Sequence, residues 1–218
     1  MTTLLSWSSG KDSAWALHVL RERGVEVSGL LTTVTADYDR VSMHGVRVEL
    51  LRAQAEAVGL ELWEAQIPAP CPNEIYEQVM ARALDDARAR GVTSVAFGDL
   101  YLEDIRRYRE ERLAPTGLAP LFPLWGRDTT ELAREMVAGG CRAYLVCVDP
   151  KQCPRELAGA AYDAELLARL PAEVDPCGEN GEFHTFVYDG PPFNHAVAFT
   201  KGQRETRDGF ACLDLIPI

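Results

Sequence analysis

The chain has 218 residues, 47% hydrophobic and 25% charged, with a formal net charge of −11. That composition supports a packed core and excludes a disordered or fibrous chain. The acidic balance argues against broad binding to a phosphate backbone, and no apolar run approaches the roughly 20 residues that cross a bilayer.

The elements follow in chain order. Apolar "LLSW" at 4–7 reads as a short buried strand, and 12–23 as a helix with Ala14, Trp15, Leu17, Val19 and Leu20 on its apolar side. "VEVSGLLTTV" at 25–34 is a second strand, 44–59 a helix stopped by Gly59, and "LELWEAQI" at 60–67 a third strand. A helix over 73–90 has Asn73 as its expected cap and Gly91 as its stop. "TSVAFGDL" at 93–100 is the fourth strand, 102–113 a polar helix, and 118–125 a proline-interrupted strand. A helix opens at Asp128, and "CRAYLVCVD" at 141–149 is one more strand. The strand–helix alternation predicts an α/β fold with a mostly parallel sheet and helices on both faces. The character changes near residue 140. Residues 195–216 read as a terminal hairpin turning at 201–203, so 1–138 is expected to be a core domain and 139–218 a smaller α+β module.

Two clusters carry chemistry. Residues 6–13 read "SWSSGKDS". A glycine turn between strand and helix presents backbone N–H groups at the positive end of the helix dipole, which suits a phosphate. Ser8, Ser9 and Ser13 add hydroxyls, Gly10 permits close approach, and Lys11 adds charge. The spacing is neither GxxxxGK[ST] nor GxGxxG, and a plain helix cap by Asp12 or Ser13 is the simpler alternative. The second cluster is "DPCGENGEFHTF" at 175–186. Its Glu179, Glu182 and His184 are suited to acid–base work or to holding an ammonium, and alternation along an extended backbone would put Glu182 and His184 on one face.

The order S-x-G-K-D-S resembles the phosphate loop of the PP-loop ATP pyrophosphatases, usually SGGxDS, with Ser9 in place of a glycine. "SSGKDS", "MHGV" at 43–46, "FGDL" at 97–100, "PLFPLW" at 120–125 and "GENGEFHTF" at 178–186 occur in the order of the diphthine–ammonia ligase family. That resemblance implies a five-stranded parallel sheet of order 3-2-1-4-5. It also implies an ATP-dependent amide ligase that adenylates a carboxylate, replaces AMP by ammonia and releases pyrophosphate. ATP and Mg2+ are the implied cofactors, with Lys11 on phosphate and Asp12 on the metal. His44, Gly45 and Asp99 join Ser8, Ser9, Gly10, Lys11, Asp12 and Ser13 in the nucleotide pocket; Glu179, Glu182 and His184 face the carboxylate or the ammonia. The implied partners are ammonia or ammonium and a carboxylate carried on a protein such as elongation factor 2.

Ala160 stands where the family tends to carry an arginine. Arg106, Arg107 and Arg109 read either as contacts to a substrate or as a solvated helix face, and Cys177 as a buried thiol or a nucleophile. A tRNA-thiolating enzyme is the first alternative. The absence of any CxxC pair among the six cysteines and the acidic charge argue against it. A non-catalytic nucleotide-binding protein is the second. Reduced cysteines and a cytoplasmic setting are expected, and a homodimer is left open.

Overall fold

The computed structural model describes residues 2–42 and 44–218. Strand β1, Thr2–Ser6, lies at the centre of the larger sheet, where Leu4 and Leu5 are fully buried and face opposite sides. β2 (Glu26–Thr35) and β5 (Ser94–Ala96) flank it in parallel; β4 (Glu61–Ile67) pairs with β2, and β6 (Ala119–Leu121) with β5. These five parallel strands run in the expected order 3-2-1-4-5. The connecting helices are α1 (Lys11–Glu22), α2 (Val48–Val58), α3 (Asn73–Ala89) and α4 (Glu103–Leu113). Among the described residues, no helix is long and apolar enough to cross a membrane.

A sixth strand, β3 (Arg40–Val41), is too short for periodicity to show. It runs antiparallel to Val34–Thr35 of β2. β4 occupies the other edge there, so β3 lies beside the stretch of β2 that extends past the end of β1. The chain that leaves β3 therefore passes next to the β1–α1 turn. That is why α2 begins at Val48 and not at 44: Gly45 has φ +66°, outside helical space, and Arg47 bridges back to Arg40. Met43 of the "MHGV" stretch lies outside the described residues. The strand expected over 118–125 is cut to three residues, and Pro123, which has no N–H to give a ladder, follows soon after.

After α5 (Thr129–Ala138), β7 (Arg142–Val148), β8 (Phe183–Asp189), β9 (Phe199–Arg207) and β10 (Phe210–Pro217) form a second, antiparallel sheet in the order β8-β7-β10-β9. The short helix α6 (Ala164–Arg169) lies in the long connection between β7 and β8. The hairpin turns at Asp208–Gly209, both at positive φ, and not at 201–203. Asp-Gly is a strong signal for a tight hairpin and outweighs the Lys-Gly-Gln stretch. One apolar cluster runs through both sheets, from Leu5 and Trp7 to Phe186 and Val187.

Ser9 has φ +68°, is completely buried, and its Oγ has no hydrogen-bond partner among the described residues. An L-residue in this left-handed region costs roughly 1–2 kcal/mol relative to glycine, offset in part by the larger chain entropy that glycine loses. Ser9→Gly should therefore stabilise the chain by about 1 kcal/mol in urea denaturation; a loss of stability would show that Ser9 is not strained.

Candidate active site

In a sheet of order 3-2-1-4-5 the crossovers leave β1 in opposite directions, which opens a crevice beyond the C-terminal ends of β1 and β5. A cleft of about 240 Å3 lies there. Ser6 and Ser8 line it from β1 and the turn, and Lys11, Asp12 and Ser13 from the first turn of α1. Phe97, Gly98 and Asp99 line it from the end of β5, and Glu179, His184 and Thr185 from the second sheet and its entry loop. The two clusters, more than 160 residues apart in sequence, thus face one space.

Close approach makes this possible. A Cβ on Gly98 would lie 3.0 Å from the carbonyl carbon of Asp12, so only glycine lets the end of β5 touch the start of α1 at this separation. A Cβ on Gly10 would lie 3.3 Å from His44 and from Thr185. No side chain of the turn caps α1 at Gly10. The cap comes from β8 instead: Thr185 Oγ1 accepts from the Lys11 N–H at 3.0 Å, and the Val187 N–H donates to the Ser9 carbonyl at 3.0 Å. Fully buried Gln54 of α2 completes the seam. Its Nε2 donates to the carbonyls of Ser9 (3.0 Å) and Val187 (2.5 Å), and its Oε1 accepts from Trp7 Nε1 (3.0 Å).

Lys11 is 1% exposed. Its ammonium donates to both oxygens of Asp12 at 2.9 Å and to the Cys177 carbonyl. Those bonds use its three donors, and the rings of Tyr162 and Phe183 lie 5.3 and 5.5 Å away. Burial alone would pull its pKa down; the adjacent Asp12 carboxylate more than offsets this and holds the ammonium charged. Lys11 thus ties the phosphate turn to the 175–182 loop.

Glu179 Oε1 accepts from the N–H groups of Leu100 (2.7 Å) and Tyr101 (3.4 Å), which draws the loop onto the end of β5. Burial, with Asp12 and Asp99 nearby, pushes its carboxyl up to about 7. Glu182 behaves differently. It is 2% exposed and does not line the cleft. It accepts from the backbone N–H of Asp175 and of Asn180 and from Asn180 Nδ2, so it shapes the loop from within. The alternation argument fails for it because β8 begins one residue later, at Phe183.

His184 packs against His44 with ring centroids 4.5 Å apart and the ring planes tilted by 33°. Burial pushes His184 down to about 4 and lowers His44 well below its ordinary range, so both imidazoles are neutral at physiological pH. Gly45 points away from the cleft: a Cβ there would lie 2.7 Å from Arg207 Nη1, and its carbonyl accepts from Arg40 and Arg207. Asp99 accepts from Arg109 Nε at 3.3 Å, and the guanidinium lies over the Phe97 ring at 4.7 Å.

Arg109 is thus the arginine of its helix that reaches the cleft. Arg106 lies over Phe122 and Trp125 and pairs with Glu110; Arg107 is exposed. Ala160 packs partly buried on the core, away from the cleft. Cys177 is buried, with its thiol pushed up to about 12 by burial and bonded to the Thr129 carbonyl, which makes it a poor nucleophile. Ser6, Phe97 and Thr185 were missed as site residues. Ser6 and Thr185 sit inside the two quoted motifs, but nothing in residue type alone sets them apart.

Because Lys11 holds the loop as well as charge, Lys11→Ala should do more than slow the chemistry. It strands the Asp12 carboxylate and frees the Cys177 carbonyl, and should destabilise the fold by about 3 kcal/mol. Urea denaturation checks this; unchanged stability would show that Lys11 is not part of the seam.

The comparisons with known proteins agree with this architecture. The sequence profile of the diphthamide synthase N-terminal domain matches residues 1–118, and that of the diphthamide synthase C-terminal domain matches residues 128–214. A zebrafish (Danio rerio) protein named diphthine–ammonia ligase is 27% identical over 94% of this chain and 89% of its own. The rat (Rattus norvegicus) protein of that name is 32% identical over 94% of this chain and 85% of its own. In fission yeast (Schizosaccharomyces pombe) the same name belongs to a longer protein, 26% identical over 94% of this chain but 37% of its own length. The matched residues span both sheets and both motif clusters, and the chain belongs to the diphthamide synthase family.

Proposed function

We propose that this chain is an ATP-dependent amide ligase that adenylates a diphthine-like carboxylate, displaces AMP with ammonia and releases pyrophosphate. The observation that carries this reading is the meeting of the α1 N-terminus and the Glu179 carboxyl in one cleft. A carboxylate and ammonia do not condense in neutral water without activation, so the enzyme needs a phosphate site and an amine site side by side.

The phosphate half is the start of α1 with the hydroxyls of Ser8 and Ser13. Lys11 and Arg109 supply positive field, and Arg109 is the better placed to touch an anion because the Lys11 donors are committed. Mg2+ needs only one or two protein carboxylates beside its substrate and water ligands, and Asp12 and Asp99 are the residues that would hold it. Asp99 has one oxygen on Arg109, and Asp12 would share its carboxylate with Lys11. Bound there, the ion would offset charge on the leaving pyrophosphate. His44 and His184, both neutral, form an uncharged wall that does not compete for the anion.

The amine half is acidic. The Glu179 carboxylate draws ammonium to that side, and only the free base can attack the adenylate carbonyl. Glu179, with its carboxyl near 7, takes the proton that nitrogen loses as the tetrahedral intermediate forms. AMP then leaves with the oxygen that bound it. The substrate carboxylate is expected on a protein of the elongation factor 2 type. The experiment is to follow nucleotide products with such a substrate: AMP and pyrophosphate, with amide formed only when ammonium is present, support the reading. ADP as the main product overturns it.

Glu179 also gives a pH signature. Its carboxyl titrates at about 7 when folded against an ordinary 4.5. The folded chain holds that proton more tightly, so the group's stabilisation is complete below about pH 4.5 and is lost as pH rises through 7. Glu179→Gln keeps the acceptor for Leu100 and Tyr101. It should leave stability unchanged at pH 5 relative to other sites, raise it at pH 8, and lower the amidation rate about 100-fold. The rise of amidation through about pH 7 should vanish with it. An unchanged pH profile in the variant would show that Glu179 is not the base.

A further inference from the structure

Two thiols that the chemistry above does not use lie in the second sheet. Cys212 of β10 sits directly opposite Cys147 of β7 in the antiparallel ladder. Their Sγ atoms are 2.7 Å apart, and both residues are buried. Directly opposed residues on antiparallel strands have Cα atoms roughly 4.5–5.5 Å apart, within the span that a disulfide bridges. The backbone therefore already holds the pair in reach of a bond.

The surroundings favour one thiol as the attacking group. The two thiols share a hydrogen bond, and the Arg207 guanidinium adds its charge beside Cys212; the neighbouring thiol and this charge outweigh burial and lower the Cys212 thiol below its ordinary value. The next cross-strand partner of Cys147 is His184, so the pair lies in the same ladder row as a cleft residue. The hairpin that carries Cys212 also carries Asp214 and Arg207. Asp214 pairs with Arg40 at 3.0 Å and Arg47 at 2.7 Å, and Arg207 and Arg40 bond the Gly45 carbonyl beside His44.

We propose that Cys147 and Cys212 are a modification site, a dithiol that a peroxide closes to an intrachain disulfide fastening the C-terminal hairpin to β7. The Cys212 thiolate attacks one peroxide oxygen; the O–O bond breaks, and hydroxide leaves and takes up the proton that Cys212 released. The Cys147 thiol then attacks the sulfenic sulfur, the S–S bond forms, and water departs with the Cys147 proton. Two thiols lose two electrons, and one hydrogen peroxide becomes two waters. Closure needs no change of strand register, so the cleft keeps its shape while the hairpin that pins the His44 loop gains a covalent tie.

The test treats the full chain with hydrogen peroxide, denatures it, alkylates the remaining thiols and maps peptides by mass spectrometry. The expected result is two fewer alkylated thiols and a linked peptide pair holding residues 147 and 212, both reversed by dithiothreitol. Melting temperature should rise by roughly 5–10 °C in the oxidised form. Cys147→Ala and Cys212→Ala should each abolish the linked pair, and Cys71→Ala, which removes a partly exposed thiol elsewhere, should leave it intact. Loss of thiols confined to Cys71, or a wild-type chain in which Cys147 and Cys212 stay fully alkylated, would overturn the proposal. Because the linked peptide is read on the wild-type chain, a variant that fails to fold does not blunt the test.

Discussion

The seam between the phosphate turn and strand β8 is the constraint on which the rest depends. A turn with a left-handed, buried Ser9 is not stable alone, and its helix has no cap of its own. Val187, Thr185 and Gln54 supply what it lacks, and each bond serves both partners. The Ser9 carbonyl and the Lys11 N–H, buried polar groups that would otherwise be costly to leave unpaired, find donors and acceptors in the second sheet. The second sheet in turn gains its anchor on the first. Removing either side exposes unsatisfied backbone on the other, so the cleft and the fold are stabilised by the same contacts.

Electrostatics follow from that packing. Once β8 lies on α1, the loop before it carries Glu179 onto the end of β5, where two other carboxylates already sit. Burial and like charge raise its proton affinity, while Lys11 nearby, held beside Asp12, stays charged. The cleft thus has a cationic and dipolar side for an anion and an acidic side for a cation. The acidic net charge of the whole chain is compatible with this, because the positive features are a helix end and two side chains focused on one crevice.

Much of this was legible in the sequence, and the failures have specific causes. The five parallel strands were readable because buried strands between helices are apolar runs with turn residues between them. β3 was invisible because two residues carry no period. The hairpin is legible but the turn expected at Lys201–Gln203 lies inside β9, and the chain reverses at Asp208–Gly209, the stronger turn former. In the candidate site, Ser8, Lys11, Asp12, Ser13, His44, Asp99, Glu179 and His184 do line one cleft. Ser9, Gly10, Gly45 and Glu182 do not: Ser9 and Gly10 are buried against β8 and α2, Gly45 lies against Arg207, and the Glu182 carboxylate is taken up by the backbone amides of its own loop. Gln54 and Thr185 escaped notice for the converse reason: an ordinary Gln on a helix and an ordinary Thr in a strand gain their roles only when the two sheets meet.

The central claim is that a carboxylate oxygen attacks the α-phosphorus of ATP in this cleft and leaves with AMP. The measurement that tests it most directly uses a diphthine-bearing substrate protein labelled with 18O in the carboxylate, incubated with the enzyme, ATP and ammonium. The account predicts one 18O atom in the phosphate of each AMP formed, matched by one amide. Label recovered in orthophosphate alongside ADP, or AMP free of label, would contradict it.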